Sequence, residues 1–148
     1  MKKAKTILSI LILIFISSCK EEKTTTDNTS RTTFDIENVH YISNKTTSYQ
    51  TDFGQLLKVN GENFELYLIL SDKDSKTFTV IDTLTGLDVG KARCVFKMNN
   101  EFKFSNSGII EYDSEKKSGV FTVNIEGLNF INGQIKVDTI INSSFGVN

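Results

Sequence analysis

From Phe34 onward, apolar and polar residues alternate with a period of two. Phe121, Val123 and Ile125 point one way while Thr122, Asn124 and Glu126 point the other. Ile135 and Val137 alternate with Gln134, Lys136 and Asp138, and Phe102 and Phe104 flank Lys103. Ala92, Cys94, Phe96 and Met98 share a face opposite Arg93 and Lys97. Successive side chains of a strand leave on opposite faces, so this pattern predicts half-buried β-strands. The run Phe64–Leu70 is apolar at nearly every position, which predicts a central strand covered on both faces. No segment holds a 3.6-residue period.

The connections are short. Asn60-Gly61 and Asn132-Gly133 each stand between apolar runs, the strongest local hairpin signal, and Asn99-Asn100 reads as a third tight turn. Ser71–Lys76 and Ser114–Ser118 are polar loops. The prediction is an all-β domain of about eight strands in an antiparallel meander. Two packed layers or a curled sheet would bury one face of each strand. An antiparallel β-sandwich is the favoured reading and a partly closed β-barrel is the alternative; a barrel would raise the odds of an internal ligand.

The chain before Phe34 behaves differently. Lys2, Lys3 and Lys5 precede an apolar run from Ile7 to Ile16, broken only by Ser9. That is about half of the roughly 20 residues a spanning helix needs, and it matches a secretory signal. The next residues, Ile16-Ser17-Ser18-Cys19, resemble the lipobox of bacterial lipoproteins. The resemblance implies removal of residues 1–18, diacylglyceryl transfer to the Cys19 thiol and acylation of the new amino terminus. Two chains or more anchor a protein stably, whereas one gives only marginal binding. Lys20-Glu21-Glu22-Lys23 resembles the surface-export signal of Bacteroidota lipoproteins, which implies an outer-membrane protein facing outward. Residues 19–33 contain no apolar side chain beyond the cysteine and read as a flexible tether. Residues 34–148 then form one β-domain.

Cleavage would reduce the 17 basic residues to 14 and leave all 18 acidic ones, a net charge of −4. A mildly acidic chain without a basic stripe is a poor match for nucleic acid. With Cys19 committed to lipid, Cys94 has no disulfide partner, so stability must come from the core. The mature chain keeps ten phenylalanines for that purpose and has no proline.

Candidate chemistry is sparse. Cys94 lies on an apolar face and reads as a buried core thiol rather than a reactive one. His40 is the single histidine and cannot build a histidine metal site alone. Asp72-Lys73-Asp74-Ser75 opens like a calcium loop, but the sixth position holds no glycine and the twelfth is Thr83, not glutamate. An ordinary polar turn is expected. Glu62, Glu65, Glu111 and Glu126 are scattered on outward strand positions, with no phosphate loop, nucleophile elbow or metal-spaced cluster. The reading is therefore not an enzyme and calls for no cofactor. Tyr41, Tyr49, Tyr67 and Tyr112 would make a sugar platform if exposed together.

Two further resemblances bear on function. Asp82-Thr83-Leu84 and Asp138-Thr139-Ile140 resemble the Asp-Thr-aliphatic acceptor of Bacteroidota O-glycosylation, which implies Thr83 and Thr139 as modification sites. Residues 107–137, with Gly108, Ile110, Gly119 and Phe121 in a G-x-I … G-x-F pattern, are similar to a family of small Bacteroidota lipoproteins built as lipobox, tether and one β-domain. The family carries no established activity. The sequence thus predicts a membrane-anchored binding or adhesion module for a glycan or envelope protein. A small-molecule or lipid carrier, or a structural envelope accessory, is the alternative.

Overall fold

The computed structural model describes residues 31–51, 54–82 and 86–142. The signal, Cys19, most of the tether and Thr83 lie outside the described residues. Eleven strands are present and no helix among the described residues. They are β1 (Thr32–Ile36), β2 (Val39–Ser43), β3 (Lys45–Thr51), β4 (Gly54–Asn60), β5 (Phe64–Leu70), β6 (Thr77–Val80), β7 (Lys91–Met98), β8 (Glu101–Asp113), β9 (Ser118–Ile125), β10 (Phe130–Lys136) and β11 (Thr139–Asn142). The first strand starts at Thr32, two residues ahead of the first apolar side chain.

All eleven join one sheet in the order β11-β3-β4-β5-β7-β6-β8-β9-β10-β1-β2. The sheet is mixed, because β11 runs parallel to β3 and β6 parallel to β7. It curls into a half-barrel with the core on its concave face. The predicted eight-stranded antiparallel sandwich is therefore corrected, and the partly closed barrel is the nearer description. The strand count rises partly because the stretch around His40 is not one strand. Glu37 and Asn38 both take positive φ, 49° and 69°, the backbone of a two-residue hairpin turn, and fold β1 onto β2.

Two local features produce the curl. Along β8 the register shifts between Ser105 and Ser107, and Gly108 then adopts a φ of 144° that a side chain would resist. Before this bulge β8 pairs with β7; after it, β6 takes β7's place. At the seam, side chains do what a ladder does elsewhere. Thr32 Oγ1 on β1 meets Thr46 Oγ1 on β3 at 2.7 Å. Asp138 accepts the Thr46 amide on its carboxylate at 2.9 Å and donates its own amide to the Thr46 carbonyl. This explains why polar Thr32 and Thr46 are buried: their partners are there.

The interior is filled by side chains of both walls. Phe34 on β1 stacks on Tyr41 of β2, centroids 5.1 Å apart, and meets Phe64 of β5 edge-on at 5.2 Å. Phe96 and Phe121 complete the ring cluster. Such pairs contribute about 0.5–1.5 kcal/mol each beyond area burial. Asn132-Gly133 is not the predicted turn but the middle of β10, paired with Thr122 and Phe121. Glycine stands there because a Cβ would lie 2.5 Å from the Phe34 Cβ and 2.6 Å from the Phe121 ring. The chain turns earlier instead, at Gly127, with a φ of 73°. The other two turn readings hold their places: Gly61 opens the β4–β5 connection, and Asn99 and Asn100, with φ of 52° and 64°, link β7 to β8.

Candidate binding face

Because the sheet is a single curled layer, its convex face has no second layer over it among the described residues. The outward residues of each strand can be followed across the sheet by register. On the wall of β3, β4, β5 and β7, Tyr49, Leu56 and Ile69 fall in one row, and Lys58, Tyr67 and Val95 in the next. Phe64–Leu70 therefore meets the core on its concave face only; its outer side chains, Glu65, Tyr67 and Ile69, are half-buried by neighbours on the sheet.

Those neighbours form a charged lattice. Glu65 receives Lys58 Nζ at 2.8 Å, the Tyr67 hydroxyl at 2.8 Å and Lys97 Nζ at 3.2 Å. Lys58, then Tyr67 and Lys97, hold the Glu65 carboxyl down at about 2, while Glu65 raises Lys58. The same two lysines lie over rings, Lys58 above Tyr67 and Lys97 above Phe102, each 5.4 Å from the centroid. The Lys58 stem covers part of the half-buried Tyr67 ring while its head stays wet, whereas Phe102 remains 55% exposed. The adjoining groove of about 380 Å³ between the Asn60–Asn63 and Asn99-Asn100 turns is lined by turn formers and this satisfied ion pair.

The wall of β8, β9, β10 and β1 carries no such cover. One outward row runs Ile109, Thr122, Asn132, Asp35 and His40 across β8, β9, β10, β1 and β2. The row beside it runs Glu111, Val120, Gln134, Thr33 and Ile42. Ile109, Val120 and Phe130 are each about half exposed, at 52%, 48% and 55%. With Thr122 and Glu111 they line a shallow groove of about 400 Å³. Beside the apolar groups, the Thr122 hydroxyl donates to Asn132 Oδ1 at 2.8 Å, and His40 Nδ1 lies 2.6 Å from Asp35 Oδ1. This face can offer apolar contact and fixed amide, hydroxyl and imidazole groups at strand spacing, on a rigid support.

The candidates read from the sequence distribute as follows. Tyr41 and Tyr112 point inward and are core residues, so the four tyrosines do not form one platform; Tyr49 and Tyr67 alone share the convex face. Cys94 is fully buried, and burial pushes its thiol upward, as for an inert core cysteine. Asp72 is spent on the loop itself. Its carboxylate accepts the amides of Asp74, Ser75 and Gly90 and the Ser71 hydroxyl. Burial would raise its pKa, but these donors outweigh it and hold the group at about 2. Among the described residues no cluster of three or more histidine, cysteine or acidic side chains could hold a metal. Thr139 is exposed on the edge strand β11, beside Thr47, while the neighbouring Asp138 carboxylate is occupied by the Thr46 amide.

Sequence reasoning missed the groove because Ile109, Val120 and Phe130 look like core in a strand pattern. The signal was present in their register: each alternates with a residue that has a better claim to the interior, Ile110, Phe121 and Ile131. No family model, curated protein or solved structure matches this chain.

Proposed function

We propose that the chain is an outer-membrane lipoprotein of the small Bacteroidota type, anchored through Cys19 and displayed at the cell surface. In this reading it is a binding module that recognises a glycan or an envelope protein through the convex face of β8, β9 and β10. The observation that carries the reading is the exposed set Ile109, Val120 and Phe130 beside the Thr122–Asn132 pair. Burial of such apolar groups, flanked by oriented hydrogen-bonding groups, is how a rigid sheet face gains both affinity and selectivity. No catalytic role is assigned, and nucleic acid is not a proposed partner. The filled interior argues against the carrier alternative, which needs a lumen. Thr139, exposed at a sheet edge, has room for an attached sugar.

Binding is tested with the full chain on a glycan array and by crosslinking on intact cells. Ile109→Lys and Phe130→Ser should each weaken a bound partner about tenfold or more. Wild-type binding by both variants, or no partner in either assay, overturns the reading. The anchor is tested by metabolic labelling with a palmitate analogue, which Cys19→Ala should abolish. Protease shaving of intact cells should release the domain if it faces outward. A mass shift lost in Thr139→Ala would place a glycan there.

A further inference from the structure

On the open wall, Ile109, Thr122, Asn132, Asp35 and His40 share one register row across β8, β9, β10, β1 and β2. Neighbouring strands lie about 4.8 Å apart, so the row presents one side chain per step over roughly 19 Å. Its polar members hold one another in place. The Thr122 hydroxyl donates to Asn132 Oδ1 at 2.8 Å, and His40 Nδ1 meets Asp35 Oδ1 at 2.6 Å. Each pair leaves further atoms open. Asn132 Nδ2, Asp35 Oδ2 and His40 Nε2 have no partner among the described residues. Apolar groups flank the row: Phe130 on one side, Val120 and Ile42 on the other, all about half exposed.

We propose, on the reading of this face as a binding surface, that its ligand is a linear, uncharged glycan lying across the strands from β9 to β2. One sugar sits over each of Thr122, Asn132, Asp35 and His40. Its hydroxyls bond the open amide, carboxylate and imidazole atoms, and its C–H faces rest on Phe130, Val120 and Ile42. Spacing and charge select this class. Successive pyranose rings of an extended chain repeat at nearly the strand spacing. An extended peptide sends side chains to one side only every second residue, about 6.6 Å, and falls out of step within the row. Asp35, the one carboxylate in the row, is already matched by His40. Charge complementarity therefore calls for a neutral partner rich in hydroxyls. Side chains fixed beforehand by mutual bonds also lose little freedom on binding.

The test is an NMR titration of the full chain in detergent micelles with cello-, xylo-, manno-, chito- and malto-oligosaccharides of two to six sugars. At least one series should move the Asn132 side-chain amide and His40 ring signals. Its affinity should climb from the disaccharide to the tetrasaccharide and then level off. Asn132→Ala and Asp35→Ala, both at exposed positions that tolerate exchange, should each weaken that series about tenfold. Full affinity in both variants, no gain beyond the disaccharide, or no series that moves these signals overturns the proposal. If no sugar binds while Ile109→Lys and Phe130→Ser still weaken a crosslinked protein partner, the face remains a binding surface and only its glycan ligand is refuted. Loss of both signals refutes the face itself.

Discussion

On the wall of β3, β4, β5 and β7 the outward ring of Tyr67 lies beneath a bonded lysine; on the wall of β8, β9, β10 and β1 the outward apolar groups Ile109, Val120 and Phe130 meet solvent. Both walls send comparable apolar groups inward, and both place rings or branched side chains outward. The difference is the presence of Lys58, Glu65 and Lys97, whose bonds through Glu65 hold Lys58 over Tyr67. An outward apolar group under a bonded lysine serves the fold. The same kind of group without cover, as at Val120 or Phe130, leaves apolar surface for a partner.

Three measurements break or sharpen this contrast. The largest effect is expected where the walls share a residue. Phe34 touches rings from both, so Phe34→Ala should cost about 3–5 kcal/mol in urea unfolding and lower both walls in one transition. A loss under ~1 kcal/mol would mean the walls are held independently. A smaller effect separates the outer faces. Tyr67→Ser should cost about 1–2 kcal/mol, since it removes a half-buried ring and a donor to Glu65, whereas Val120→Ser should stay within about 0.5 kcal/mol. Equal costs would erase the distinction between a covered wall and an open one.

The smallest effect is acid dependence. Glu65 and Asp72 are both held at about 2, below their ordinary values of 4.5 and 3.8. A depressed carboxyl binds protons more readily in the unfolded chain, so its stabilisation is present above the unfolded value and fades as pH falls toward 2. Both groups are partly exposed, and solvent screening keeps the effect modest. The urea midpoint should therefore decline between about pH 4.5 and 2, and Glu65→Gln with Asp72→Asn should flatten that decline. An unchanged slope would show that the lattice on the covered wall adds nothing to folding.

The strands were legible in the chain because period two is a local property. Phe121, Val123 and Ile125 point inward as their alternation requires, and Cys94 is buried on its predicted face. Asn99-Asn100 is legible for the same reason, since its turn chemistry is contained in two residues. What was not legible is set by residues far apart. Asn132-Gly133 carries a hairpin signature, yet the rings of Phe34 and Phe121 claim the glycine for close packing. The single apolar strand Phe64–Leu70 calls for two covering layers, but the Lys58 stem covers part of its second side. The parallel pairings of β11 with β3 and β6 with β7 leave no mark in the local pattern. They decide between a sandwich and a half-barrel.

One of those distant pairings governs when the protein can fold. Thr33 on the first strand lies opposite Gln134, and Thr47 opposite Thr139, so strands at the two ends of the domain complete each other. The loops to be closed are of nearly the domain's whole length, which makes the search slow compared with that of a local hairpin. A chain emerging amino end first would hold β1 and β3 each without one of its neighbours until β10 and β11 arrive. Such a domain stays incomplete until its final strands arrive, and closes only afterwards.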